Sequence, residues 1–366
     1  MSQVGSNAGL RLSVLDQSPV AAGSTPGEAL QRSIELARHV DGLGYERFWM
    51  SEHHAMETLA CTAPEIMLAR IGAETRRIRI GSGGIMLPHY AALKVAEQFR
   101  TLHALYPGRV DLGIGRAPGG GPVESLALRR ERRVQMQDDF GDQTAELLAF
   151  LDHAGEGFPA QHPFAKVQVS PQMPGGPDVW MLGSSLWSSA AAAEFGLPYA
   201  FAHFFSPVQT RAAITAYQQS FVESRYRERP EAIVAVGVIC AGTQAEAEYL
   251  AASVRVLQRR IRMGDRSPVA APEDALRELK VFGSGGGEEG EFPRYFVGTP
   301  AKVKRELEEM AAELGIGEVV VNTIMWDQAA RLRSYGLLAE AFGMGDSGGV
   351  EGCVEMVGVV SNALFR

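Results

Sequence analysis

Cysteine is almost missing from this chain. Cys61, Cys240 and Cys353 stand far apart with no CxxC pair, which excludes a zinc knuckle, a redox dithiol and a disulfide framework and fits a reducing cytoplasm. No run of about 18 apolar residues is present. The opening MSQVGSNAGLRL lacks a basic start followed by an apolar stretch. Neither membrane insertion nor secretion is expected, and the protein reads as cytoplasmic. Positive charge is in deficit, with 35 Lys and Arg against 43 Asp and Glu and a net charge of −8. A surface of that sign repels phosphate backbones, so nucleic acid is not an expected partner. The one basic run, Arg129-Arg130-Glu131-Arg132-Arg133, reads as a solvated helix face or a phosphate-seeking patch. HxH and HExxH are lacking as well, and no metal is expected.

What the chain does have is alternation. Short β-branched or apolar runs recur, each followed by a longer amphipathic segment, as in repeated βα units around a parallel sheet. Eight candidate strands are Leu10–Leu15, Arg47–Met50, Ile78–Ser82, Val110–Ile114, Val179–Leu182, Tyr199–Ala202, Val234–Cys240 and Glu318–Asn322. Helical patterns between them include Pro26–Leu43, Pro64–Glu74, Ala91–Leu105 and Thr243–Met263. The first helix carries its own boundaries: Thr25 as cap, Pro26 in first position, Glu28 completing a capping box and Gly44 as stop. Eight alternations predict an α/β fold, a (β/α)8 TIM barrel over residues 1–342. Stretches at about 153–177 and 264–295 are too long for plain βα loops and read as insertions. The glycine-rich segment 283–290 within the second is a candidate lid. Residues 343–366 form a tail that matches no further βα unit.

Barrels place their chemistry at the carboxyl ends of the strands, so polar clusters there are candidate site residues. The second strand runs into Glu52-His53-His54, and alternation of side-chain direction keeps the two imidazoles from pointing the same way. The third ends in Gly81-Ser82-Gly83-Gly84, where missing side chains either admit a flat ligand or mark a strand bulge. The fourth ends in Gly113-Ile114-Gly115-Arg116-Ala117-Pro118-Gly119, which fails as a dinucleotide fingerprint because the third glycine is displaced and Pro118 interrupts. The fifth ends in Gly183-Ser184-Ser185-Leu186-Trp187-Ser188 ahead of an alanine-rich helix, where hydroxyls and free N–H groups suit an anion and Arg116 can supply a positive fork. Asp16, His203 and Trp326 lie near other predicted strand ends, as candidates for a substrate pocket or for capping and core packing.

In order along the chain stand SVLDQSP, EHH, GSGGIMLPHY, KVAEQFRTL, PGRVDLGIGRAPG, LGSS and GLPYAFAHFF, at Ser13–Pro19, Glu52–His54, Gly81–Tyr90, Lys94–Leu102, Pro107–Gly119, Leu182–Ser185 and Gly196–Phe205. The series resembles the bacterial-luciferase-like flavin-dependent monooxygenases from about residue 10 to residue 342. The resemblance implies a (β/α)8 barrel that takes reduced FMN from a separate flavin reductase and reacts it with O2, through a C4a-peroxyflavin, to oxygenate a small organic substrate. It assigns catalysis to His53, and His54 beside it is a further candidate for the substrate pocket. It implies a cis peptide between Gly83 and Gly84 under the flavin ring. The phosphate falls to Ser184, Ser185, Ser188 and Arg116, with Arg129 or Arg130 as a second arginine. Ser184 replaces an acidic residue of the family, and Gly115 replaces a reactive cysteine, opening the pocket floor. A homodimer through helices beside the second and third strands is implied too. Alternatives are an F420-dependent oxidoreductase of the same fold and a non-catalytic flavin-binding protein.

Overall fold

The computed structural model describes residues 9–128, 139–152, 157–283 and 290–345. The chain begins β1 (Arg11–Asp16), α1 (Pro26–Leu43), β2 (Arg47–Met50), α2 (Pro64–Glu74), β3 (Arg79–Met86), α3 (Ala92–Leu105) and β4 (Val110–Gly115). It continues with α4 (Pro122–Leu128), α5 (Phe140–Leu151), β5 (Asp178–Gly183), α6 (Leu186–Glu194), β6 (Tyr199–Ala202), α7 (Thr210–Ser220) and β7 (Ala232–Cys240). The last elements are α8 (Gln244–Arg262), α9 (Pro272–Phe282), β8 (Tyr295–Gly298), α10 (Pro300–Leu314), β9 (Glu318–Asn322) and α11 (Gln328–Ala341). At α1 the Thr25 and Glu28 capping box is formed, and Gly44 closes the helix at φ 85°, a conformation that favours glycine.

β1 to β7 and β9 pair in parallel around a closed ring, with β9 joining β7 to β1. This is the (β/α)8 TIM barrel that the alternation predicts. One strand went unforeseen. β7 is nine residues long; Val234–Gly237 pair with β9, while Gly237–Cys240 diverge and take β8 as a second neighbour. The four residues of β8 directly follow the stretch read as an insertion, and that stretch itself carries α9. Of the other expected excursion, residues 157–177 contain neither strand nor helix. They are pinned to α3 by Arg100 donating to the carbonyls of Pro171 and Met173.

Alternation along each strand divides the core in two. Phe48, Met50, Ile80, Leu112, Val234 and Val319 point outward into one apolar layer against the helices. Leu15, Trp49, Trp180, Ala200, Ile233, Ala235 and Val320 fill the bore. Beneath them, at the amino ends of the strands, the bore holds charge. Arg47 donates through Nη1 to Asp111 Oδ2 at 3.0 Å and through Nε to Glu318 Oε1 at 2.8 Å. Trp49 Nε1 donates to Asp111 Oδ2 at 2.9 Å, Ser13 Oγ to Glu318 Oε1 at 2.6 Å, and Arg79 Nε to Asp111 Oδ1 at 2.9 Å. Arg79 also bonds Asp178 Oδ2 at 2.8 Å. Six strands are tied together by this layer.

α8 and α9 leave the usual ring. Ala247, Leu250, Ala251, Val254 and Leu257 of α8 pack on Ile239, Val297, Ile324 and Met325, over the carboxyl ends of β7 and β9. The link between the two helices bonds back to the loop after β1, with Val269 N–H on Val20 O and Ala22 N–H on Val269 O, both at 2.8 Å. One quadrant of the barrel mouth is thereby roofed.

Removing Asp111 leaves Arg47 and Arg79 short of a carboxylate inside the bore. Asp111→Ala is expected to lower stability by about 3–5 kcal/mol in denaturant unfolding.

Candidate active site

The site grows from the carboxyl end of β2. Glu52 is fully buried, so its charge must be met from within the fold. Its Oε2 accepts from Met86 N–H at 2.9 Å, and its Oε1 accepts from Tyr90 OH at 2.5 Å and from His54 Nε2 at 2.7 Å. Burial first, and then the bond to Glu52, pushes the Tyr90 hydroxyl up and keeps it protonated. The carboxylate therefore locks the loop after β2 to the end of β3. His54 N–H meanwhile bonds Gly119 O at 2.9 Å, joining the same loop to the segment after β4.

The two imidazoles separate as alternation requires. His54 turns to Glu52, whereas His53 places Nδ1 3.2 Å from Ser51 Oγ. Burial, with neighbouring His54 second, lowers the His53 pKa from 6.5 to about 4, so its ring is neutral at pH 7. Cys61 and Cys240 are also buried, which raises their thiols to about 12 and removes them as nucleophiles.

β3 runs on through its glycines to Met86, with a register shift against β4 between Ser82 and Ile85 and a cis peptide at Gly83-Gly84. A Cβ on Gly83 would lie 2.6 Å from Leu15 Cδ1, and one on Gly84 2.8 Å from Gly113 O. Packing thus already demands glycine at both positions. Gly115 differs: among the described residues a Cβ there meets only Ile85 O, at 4.0 Å.

At the end of β5, Ser185 caps α6 and forms a capping box with Ser188, whose hydroxyl also donates to Ser185 O at 2.8 Å and lies 2.9 Å from Tyr199 OH. Ser188 is buried and braces the helix start from within. The Ser184 hydroxyl and the N–H groups of Leu186 and Trp187 remain at the open end of the helix. Arg116 stacks its guanidinium over Trp187, 3.9 Å from the ring centroid. Arg129 and Arg130 lie outside the described residues, as does most of the 283–290 segment.

Three pocket candidates fall elsewhere. Asp16 is fully buried under α11, its Oδ1 accepting from Arg331 Nη2 and from Ser18 N–H. His203 is fully buried, Nδ1 2.7 Å from Thr210 Oγ1 and Nε2 3.1 Å from Pro293 O, with its pKa lowered to about 4 by burial. Both are bonded into the scaffold, and Asp16 Oδ2 has no hydrogen-bond partner among the described residues. Trp326 is half-exposed on the rim, its Nε1 donating to Ala22 O at 2.9 Å.

Tyr90 and Trp187 are not marked by the strand-end pattern, since each sits in an adjoining segment. An aromatic flanked by capping serines and a lone strand-end arginine is the one signal that could have drawn notice to Trp187. Asn322, at the end of β9, shares the bore face of Val320 by alternation. It is fully buried, and its Oδ1 has no partner among the described residues. An orphaned acceptor in the bore, open space at Gly115 and a cationic helix start all fit a large ligand bearing an anionic tail. Among the described residues, no three His, Cys, Asp or Glu gather where one ion could be held. No helix there is long and apolar enough to cross a membrane.

A family model described as luciferase-like monooxygenase matches residues 10–318. A solved structure, apo-MsnO8, is 47% identical with a TM-score of 0.85, over 92% of this chain and 99% of that one. A luciferase-like monooxygenase of Escherichia coli (strain K12) is 36% identical over 90% of this chain and 96% of its own. The N-acetyl-S-alkylcysteine monooxygenase of Bacillus subtilis (strain 168) is 33% identical over 91% and 98%. Two distant structures share the fold. One is the oxygenating constituent of 3,6-diketocamphane monooxygenase from the CAM plasmid of Pseudomonas putida in complex with FMN, at 19% identity and TM-score 0.66, covering 91% and 97%. The other is an F420-dependent secondary alcohol dehydrogenase, at 14% identity and TM-score 0.62, covering 91% and 99%.

Two outcomes follow from this geometry. Gly113→Ala would press a methyl to within 2.2 Å of Ser82 O and should cost about 1–3 kcal/mol in thermal or denaturant unfolding, whereas Gly115→Ala should change stability by less than about 0.5 kcal/mol. His53 and His203 should stay neutral in NMR titration until about pH 4. The unfolded chain takes those protons near pH 6.5, so stability should fall as pH drops from 6.5 towards 4.

Proposed function

The chain belongs to the luciferase-like monooxygenase family, and from that premise we propose that it uses reduced FMN and O2 to oxygenate a small organic substrate. The observation that supports this reading most directly is a run of contacts along one rim. Glu52 binds the end of β3, His54 N–H binds the loop after β4, and Arg116 from that loop stacks on the first turn of α6. The candidate catalytic imidazole and the candidate anion end thus share the carboxyl face of four consecutive strands, β2 to β5.

Arg116, the Ser184 hydroxyl and the free N–H groups of α6 would hold the phosphate. The space at Gly115, where a Cβ meets none of the described atoms closer than 4.0 Å, would take the ring. Bound reduced FMN supplies the electrons that activate O2. His53 then acts through Nε2, as a base or hydrogen-bond partner that needs no prior deprotonation. Glu52 fixes His54 and Tyr90 beside it. A separate flavin reductase as electron source is part of the proposal. Exposed Val123, Leu126, Leu186 and Phe205 follow β4, β5 and β6 and favour an apolar acceptor. The thioether named in the B. subtilis relative makes sulfur compounds the first acceptors to try, ahead of ketones and aldehydes.

Anaerobic titration with reduced FMN and reduced F420, followed by oxygen uptake with a flavin reductase and an acceptor panel, tests the proposal. Binding of reduced FMN is expected, together with an acceptor that suppresses peroxide release. His53→Ala should keep flavin affinity while turnover falls about 10²-fold. Binding of F420 alone would instead make the protein a dehydrogenase of the same fold, and an unchanged rate would remove His53 from the chemistry.

A further inference from the structure

We propose that Arg266 is a positioning residue for His53, reaching from the link between α8 and α9 to hold the loop after β2; the inference rests on the role given to His53 above. Arg266 stands 211 residues from Ala55, yet its Nη1 donates to Ala55 O at 2.9 Å and to Glu124 Oε1 at 3.0 Å. Its own carbonyl accepts from Thr58 Oγ1 at 2.5 Å, and Ser267 O accepts from the same hydroxyl at 3.0 Å. Thr58 is fully buried, so this second tie is fixed from within the fold. One residue therefore grips the loop at two points, by main chain and by side chain.

The grip falls at the loop's strained residue. Ala55, two residues past His53, has φ 50°, in the left-handed region where a side chain crowds its own main chain. Ser18, also at positive φ, is fully buried, with its N–H on Asp16 Oδ1. Ala55 is exposed instead, so packing among the described residues does not impose its turn, and the contact from Arg266 on its carbonyl keeps it. An alanine released from that contact would relax to negative φ and redirect the chain through His54 and His53. The segment after β4 closes the other flank. A Cβ on Gly120 would lie 3.2 Å from His54 O, and one on Gly121 would lie 3.2 Å from Arg266 Nη2 and 2.5 Å from Glu124 Oε2. The loop is clamped between this glycine run and Arg266. An ion pair as half-exposed as Arg266 with Glu124 adds little to stability. Its effect is on where the imidazole sits.

NMR titration of the imidazoles in the full-length protein, without flavin, tests the positioning. In the wild type His53 and His203 should both titrate at about 4. Arg266→Ala should raise His53 towards 6.5, as the freed loop lets water reach the ring, while His203 after β6 stays at about 4. Ala55→Gly in the Arg266→Ala background should return His53 to about 4, because glycine takes positive φ without strain. With reduced FMN, a flavin reductase and an acceptor, Arg266→Ala should cut turnover about tenfold while affinity for reduced FMN stays within about twofold, and the double variant should recover most of the rate. An unmoved His53, a parallel rise of His203, or no recovery with glycine overturns the positioning role. If Arg266→Ala fails to fold, Arg266→Met, which keeps the length of the side chain without its donors, carries the same comparison. A wild type that binds no reduced FMN overturns the functional reading, and the titrations still decide whether Arg266 places His53.

Discussion

The barrel depends on charge buried where apolar side chains would ordinarily sit. Arg47, Asp111 and Glu318 occupy the amino-end layer of the bore almost without solvent, with Arg79 and Asp178 extending the set to the rim. Taking such groups out of water costs several kcal/mol each, and only the full set of reciprocal bonds offsets it. The result is specificity of register. Each strand that carries a partner must present it at one height, and a slip would strand a charge in the bore. Ion pairs fill that end among the described residues, and Trp49, Trp180 and Leu15 fill the middle.

A second buried carboxylate organises that end on the same logic. Glu52 satisfies itself with a main-chain N–H, a phenol and an imidazole drawn from two different loops. Neighbouring histidines in the chain then acquire unlike environments. One is bound to an acid; the other sits uncharged beside a serine.

Much of this was legible because it is local. The periodicity of the eight barrel strands, the capping of α1 by Thr25 and Glu28, and the Glu52-His53-His54 cluster at a strand end all depend on neighbours within a few residues. What could not be read depends on partners far along the chain. Asp16 is claimed by Arg331 and His203 by Pro293, each a contact across the fold that no spacing announces. β8 escaped because a four-residue strand carries little periodicity of its own and exists only because β7 overruns the ring. Gly83 and Gly84 look like a cradle in sequence, while their missing side chains are already filled by Leu15, Trp49 and Gly113.

The excursion of α8 across the ends of β7 and β9 makes the molecule lopsided. That side is closed by aliphatic packing and sewn to the loop after β1 through Val269, while the opposite arc, past β4, β5 and β6, keeps its apolar side chains bare. Among the described residues, the two sides of the mouth therefore offer a ligand unlike surfaces, one packed and one bare. A ligand that reaches the strand ends would meet aliphatic packing on one flank and uncovered apolar side chains on the other, so the asymmetry of the helices is also an asymmetry of welcome.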